Sequence, residues 1–221
     1  NFCGDIMSTI KVDTLNEKST NGNIAVIPTG SGKLVLDGLT WPHADGTAGQ
    51  AIVTNASGVL SFAAGGGFTQ GTEQATTSGT SWTFSGIPAG VDMVVINWYG
   101  FSMSGAITDI DVQIGDAGGI ETGSYISSAM KFESDGTRDY NKSTSAFNIT
   151  QNIAADAIHG TMVLTLEDAT NHAWVSTHVF ENSGADAIQW GGGSKTLSGA
   201  LTQLKISGGT GDAGAVNIMY Q

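Results

Sequence analysis

The stretch Ile107-Thr108-Asp109-Ile110-Asp111-Val112-Gln113-Ile114 decides the fold class. Ile110, Val112 and Ile114 alternate with Asp109, Asp111 and Gln113. In an extended chain successive side chains point to opposite faces, so these residues predict a strand with one apolar and one polar face. Met162-Val163-Leu164-Thr165-Leu166 and Leu204-Lys205-Ile206 keep the same period, and Val216-Asn217-Ile218-Met219-Tyr220 reads as a terminal strand. Met93-Val94-Val95-Ile96-Asn97-Trp98 is a continuous apolar run and predicts a strand buried on both faces. Turn signals such as Ser134-Asp135-Gly136 and Gly208-Gly209-Thr210-Gly211 separate these pieces. Residues 68–221 are therefore expected to fold as an all-β unit, a jelly-roll-like antiparallel β-sandwich. One short helix is expected, from Ala154 to Ile158.

Composition agrees with many short strands. Glycine supplies 32 of 221 residues and charged residues only 13%, about half the usual charged share. Leu, Glu, Lys and Arg, the common helix builders, are scarce. Hydrophobic residues at 40% suffice to build a core. A net charge of −12 leaves few cations to replace the counterions of a nucleic-acid backbone, so no nucleic-acid partner is expected. No apolar run reaches the ~18 residues of a membrane-spanning helix, and no membrane insertion is expected. Cys3 is single, so it forms no disulfide within the chain.

The glycine triplet at residues 65–67 reads as a linker. Before it, residues 7–64 carry pieces of three to five apolar residues cut by turn signals: Asn21-Gly22-Asn23, Thr29-Gly30-Ser31-Gly32, Asp45-Gly46 and Ser57-Gly58. Such pieces bury too little surface for a core of their own. They predict an intertwined β stem whose open edges are paired by copies of the same chain. Met7-Ser8-Thr9-Ile10-Lys11-Val12 reads as a natural start, so residues 1–6 are expected to be leader sequence or an artefact.

Several of these stretches resemble tailed-bacteriophage virion proteins, especially those of marine cyanophages. They are Met7 to Leu15, Gly32 to Leu39 with Trp41-Pro42, and Asp45-Gly46-Thr47-Ala48-Gly49-Gln50 followed by Thr54-Asn55-Ala56-Ser57-Gly58-Val59-Leu60-Ser61-Phe62. Ser81 to Gly90, Gln113 to Glu121 and Ala213 to Tyr220 resemble the distal domain of phage fibres. The resemblance spans nearly the whole chain after Met7. It implies a homotrimeric fibre on the surface of the virion, with residues 7–64 as stem or anchor to other virion proteins and residues 68–221 as a head attaching to host-surface glycan. A capsid decoration or head fibre, another purely structural tail component and a carbohydrate-binding adhesin module are the alternatives. A short chain suits a head fibre or decoration protein, since typical tail fibres are longer.

Residues able to carry chemistry are few. No nucleophile elbow, HExxH or phosphate loop is present, so neither an enzyme nor a cofactor is expected. Gly191-Gly192-Gly193-Ser194-Lys195 reads as a turn. Of His43, His159, His172 and His178, the last two are six apart and would share a strand face, but further metal ligands are wanting. Asp109 and Asp111 share a face with Asp116 just beyond, a weak trio for a cation and more simply a solvated face. Glu167-Asp168 reads as a strand end entering a turn. Aromatic faces stack on sugars, and Trp82, Trp98, Trp174 and Trp190 occur with Tyr99, Tyr125, Tyr140 and Tyr220. Trp82 and Trp98 are expected in the core. Trp174 alternates in step with Ser176 and His178, so these three are expected to face outward. Trp174, Trp190 and His178 are therefore the expected ligand contacts.

Overall fold

The computed structural model describes residues 34–36, 38–42, 44–105, 108–152, 156–184 and 186–221. The leader expected at residues 1–6, the strand pieces of 7–33, His43 and residues 154–155 of the expected helix lie outside these. Ile158, its last residue, opens a strand. Two compact units meet inside the glycine triplet, one ending at Gly66 and the other running Gly67–Gln221.

The first unit holds β1 (Val35–Leu36), β2 (Leu39–Thr40), β3 (Gln50–Thr54) and β4 (Leu60–Ala64). These pair as two antiparallel hairpins, with a single parallel bridge from Thr40 to Val59. The Asn55 side-chain oxygen accepts hydrogen bonds from the Ser57 and Val59 amides, at 2.9 and 3.1 Å, and closes the β3–β4 turn. Many apolar side chains of these hairpins remain open: Val35, Leu36, Ile52, Val53 and Val59 are exposed, while Leu60 and Phe62 are half-buried.

The second unit is an antiparallel β-sandwich, as the alternation predicts. Its strands are β5 (Thr69–Gln70), β6 (Gln74–Ala75), β7 (Ser81–Ser85), β8 (Met93–Ser104), β9 (Thr108–Asp116) and β10 (Gly119–Ile120). They continue with β11 (Ile126–Glu133), β12 (Arg138–Ser143), β13 (Phe147–Asn152) and β14 (Ile158–Asp168). The last four are β15 (Ala173–Asn182), β16 (Ala187–Thr196), β17 (Gln203–Ser207) and β18 (Thr210–Tyr220). The larger sheet runs β12-β11-β16-β15-β14-β8-β18-β5, with β6 also on β18. The smaller runs β10-β9-β17-β7, with β13 also on β9.

The apolar phase of each strand meets that of the facing sheet. Ile110, Val112 and Ile114 of β9 and Leu204 and Ile206 of β17 are fully buried, as are Met162 and Leu164 of β14. Trp82 and Trp98 are core residues, as expected. Trp82 packs edge-on against Phe101 at 5.1 Å between ring centroids, and Trp98 against Phe180 at 4.9 Å. Edge-to-face pairs add about 1 kcal/mol each beyond their buried area. The run Met93 to Trp98 departs from expectation. Val94, Ile96 and Trp98 are buried, but Met93, Val95 and Asn97 are half-buried on the other face. No second layer covers the outside of the larger sheet there among the described residues.

Residues 191–195 also correct the sequence reading. They lie in the middle of β16, not in a turn, paired to β11 on one side and β15 on the other. Glycine is required here by close backbone approach rather than by a bend. A Cβ on Gly193 would stand 2.1 Å from the Ile126 carbonyl oxygen, and one on Gly191 would stand 2.5 Å from that of Ser128.

Candidate functional site: an aromatic groove on the outer sheet face

The outer face of the larger sheet is assembled by register. Tyr140 of β12 pairs with Met130 of β11, Met130 with Trp190 of β16, and Trp190 with Val179 of β15. The four residues form one row across four strands. Strands lie about 4.8 Å apart, so Tyr140 and Trp190 stand roughly 10 Å from each other. Trp190 is 41% exposed and Tyr140 is 64% exposed. The next row holds small residues, Ser128 paired with Gly192, and ends at Lys142. The missing side-chain bulk leaves a groove of about 300 Å³ beside the aromatic row, lined by Ser128, Met130, Tyr140, Trp190 and Gly192 among others. The row on the other side runs Arg138, Phe132 and Ile188. The Arg138 guanidinium lies 5.5 Å from the Phe132 ring centroid, a cation–π contact that holds it over the face.

This face is rigidly backed. Lys131, which points inward between Met130 and Phe132, is buried and pairs with Glu133 at 2.7 Å and Asp139 at 3.4 Å. Those contacts turn both carboxylates away from the groove and tie β11 to β12. Lys195 pairs with Glu121 at 2.5 Å, and its ammonium lies 5.3 Å from the Tyr125 ring centroid. Burial pushes the Tyr125 phenol up to about 12, and its oxygen accepts from the Ile114 amide at 2.8 Å. The groove thus presents two aromatic faces, a thioether and peptide edges on a fixed sheet, an arrangement suited to stacking on a sugar ring. A larger cavity of about 420 Å³ lies between β5–β6 and β7. None of its lining residues is charged, and its Gln74 amide is spent on the Thr83 carbonyl at 2.8 Å.

Two of the three expected contacts are corrected by the structure. Trp174 is 1% exposed and lies in the core. It lines a mostly apolar cleft of about 300 Å³ with Val91, Leu166, His172 and Leu201. His178 is 3% exposed, stacked at a tilt on Phe180, with no hydrogen-bond partner on either ring nitrogen among the described residues. The physical reason is a reversed polarity of β15: Trp174, Ser176, His178 and Phe180 point inward, while Val175, Thr177, Val179 and Glu181 point outward. Trp190 does face outward, as expected. Met130, Arg138 and Lys142 were not singled out by sequence reasoning. The alternation Arg138-Asp139-Tyr140-Asn141-Lys142 is the signal that carries two of them.

The acidic trio does not converge. Asp109 and Asp111 share a face of β9, and the Asn141 amide donates to Asp109. Desolvation, then the neighbouring Asp109 charge, raises the Asp111 carboxyl above its usual range. Asp116 lies at the far end of the strand. The Ser198 hydroxyl donates to it at 2.6 Å and the Gly118 amide at 2.7 Å, and these bonds hold its carboxyl low. His172 sits with positive φ in the β14–β15 turn, and His159 accepts from the Gly100 amide at 3.3 Å. Among the described residues no three His, Cys, Asp or Glu side chains are grouped to hold a metal ion. Glu167 and Asp168 do end β14, where the Asp168 carboxylate accepts from the Thr170 and Asn171 amides at 2.8 and 3.2 Å. No protein-family model and no curated protein matches the chain.

Proposed function

We propose that the chain is a non-enzymatic, adhesive component of a tailed-phage particle, a trimeric fibre whose β-sandwich attaches to a surface glycan. The observation that carries the adhesive part is the outer row Tyr140, Met130, Trp190 and Val179 beside its groove. An apolar and aromatic face left open on a well-filled sandwich is a mark of an interaction site. The phage part rests on the resemblance of residues 7–15, 32–39, 41–42, 45–50, 54–62, 81–90, 113–121 and 213–220. The trimer is supported by the exposed Val35, Leu36, Ile52 and Val53 of the first unit, which neighbouring copies would cover. Repeated heads raise weak single contacts to useful avidity.

Binding of the full chain to bacterial surface polysaccharide tests this reading. Trp190→Ala should weaken binding at each site several-fold, the equivalent of about 1 kcal/mol, and leave the melting temperature nearly unchanged. Equal binding by both proteins would move the glycan contact away from Trp190, and no binding by either would favour a decoration component with no glycan ligand.

A further inference from the structure

Arg138 and Lys142 flank Tyr140 on the outer face of β12, at alternate positions of one strand. Five cations lie among the described residues. Lys131 and Lys195 are buried in ion pairs, Lys205 is half-buried on the opposite sheet, and only Arg138 and Lys142 are exposed. In a chain of net charge −12, these two exposed cations are both set on the edge of the aromatic groove. Of the nearby acids, Asp139 and Glu133 point inward to Lys131. Asp135 is exposed in the β11–β12 turn, where its carboxylate accepts from the Thr137 amide at 2.8 Å. The exposed Glu181 and Glu167 lie in β15 and β14, three and four strands from β12.

We infer that the groove takes an acidic polysaccharide, one carrying carboxylates on its sugar rings, with rings stacked on Trp190 and Tyr140 and charges met by Arg138 and Lys142. The inference rests on the adhesive reading above and names its ligand class. Four residues of strand separate the backbones of the two cations by about 13 Å. The Arg138 guanidinium is held over Phe132, in the row on the far side of Tyr140 from Lys142, so the two charges are not gathered on a single phosphate or sulfate. This placement suits charges spread along a polymer with uncharged ring faces between them. The acidic remainder of the protein repels densely charged polyanions, so a chain with one carboxylate per ring is favoured over a heavily sulfated one.

Full-length protein is titrated with polygalacturonate and with neutral dextran at 0.1 M and 1 M salt, where the screening length falls from about 10 Å to about 3 Å. Polygalacturonate should bind more tightly than dextran. That preference should shrink about tenfold in high salt and about tenfold in the double variant Arg138→Gln/Lys142→Gln, with melting unchanged. Trp190→Ala should weaken both polymers. Undiminished polygalacturonate binding by the double variant would overturn the assignment of the acidic ligand to this groove, and a preference for dextran would leave a neutral-sugar adhesin. Failure of the wild type to bind either polymer or any bacterial surface would remove the adhesive reading together with this one. A double variant that falls apart into smaller assemblies would place β12 in a subunit contact and likewise overturn the inference.

Discussion

Trp174 and Trp190 lie on adjacent strands of one sheet and face opposite sides of it, the first 1% and the second 41% exposed. One indole fills the sandwich and the other lies on its surface, so the two substitutions separate stability from binding. Trp174→Ala should cost roughly 3–5 kcal/mol of unfolding free energy, the ordinary range for a buried tryptophan. Trp190→Ala should cost well under half of that. Urea unfolding of both variants checks this, and similar midpoints would contradict the opposed orientation.

Acid should destabilise the second unit through His178. Burial pushes its imidazole down to about 4 in the fold, against ~6.5 in an unfolded chain. Between those values the unfolded chain binds the extra proton, so stability falls as pH drops from about 6.5 to about 4 and is fully retained above that window. The whole shift corresponds to about 3 kcal/mol. His178→Leu should flatten this segment of the pH–stability curve measured by chemical unfolding. A variant curve as steep as that of the wild type would refute the assignment to His178.

Asp111 acts with the opposite sign. Its carboxyl is raised by desolvation and by Asp109, so ionisation weakens the fold as pH rises through the folded value. Asp111→Asn should therefore raise the melting temperature at pH 7, by an amount worth under about 1 kcal/mol for a half-buried group. The gain should vanish near pH 3, where the carboxyl is protonated in both states. A lower melting temperature at pH 7 would show that the carboxylate is stabilising instead.

The two units should separate cleanly at the glycine triplet. The core of the second unit is built from Trp82 onward, and the compact units part between Gly66 and Gly67. A fragment of residues 68–221 should melt cooperatively by calorimetry and run as a monomer. The whole chain should scatter light as three times 22.6 kDa. A trimeric fragment, or a monomeric whole chain at micromolar concentration, would relocate or remove the assembly contact.

Strand content and face-sharing were legible in the sequence. Alternation needs no partner to be read: Ile110, Val112 and Ile114 share a face because an extended chain has a period of two. The glycine triplet was legible too, as a composition break between short and long patterned pieces. Which face of a strand turns inward is a different matter, because it depends on what the second sheet brings to it. In β15 polarity alone favours an outward Trp174, Ser176 and His178, yet the closed sandwich buries that trio and leaves Val175, Thr177 and Val179 outside. The three glycines of β16 read locally as a turn. Only the neighbouring strands reveal the close approach of Ile126 and Ser128 that excludes a side chain there. The groove is likewise a product of register: Met130, Tyr140 and Trp190 are scattered along the sequence, and the pairing of β12, β11 and β16 sets them in one row.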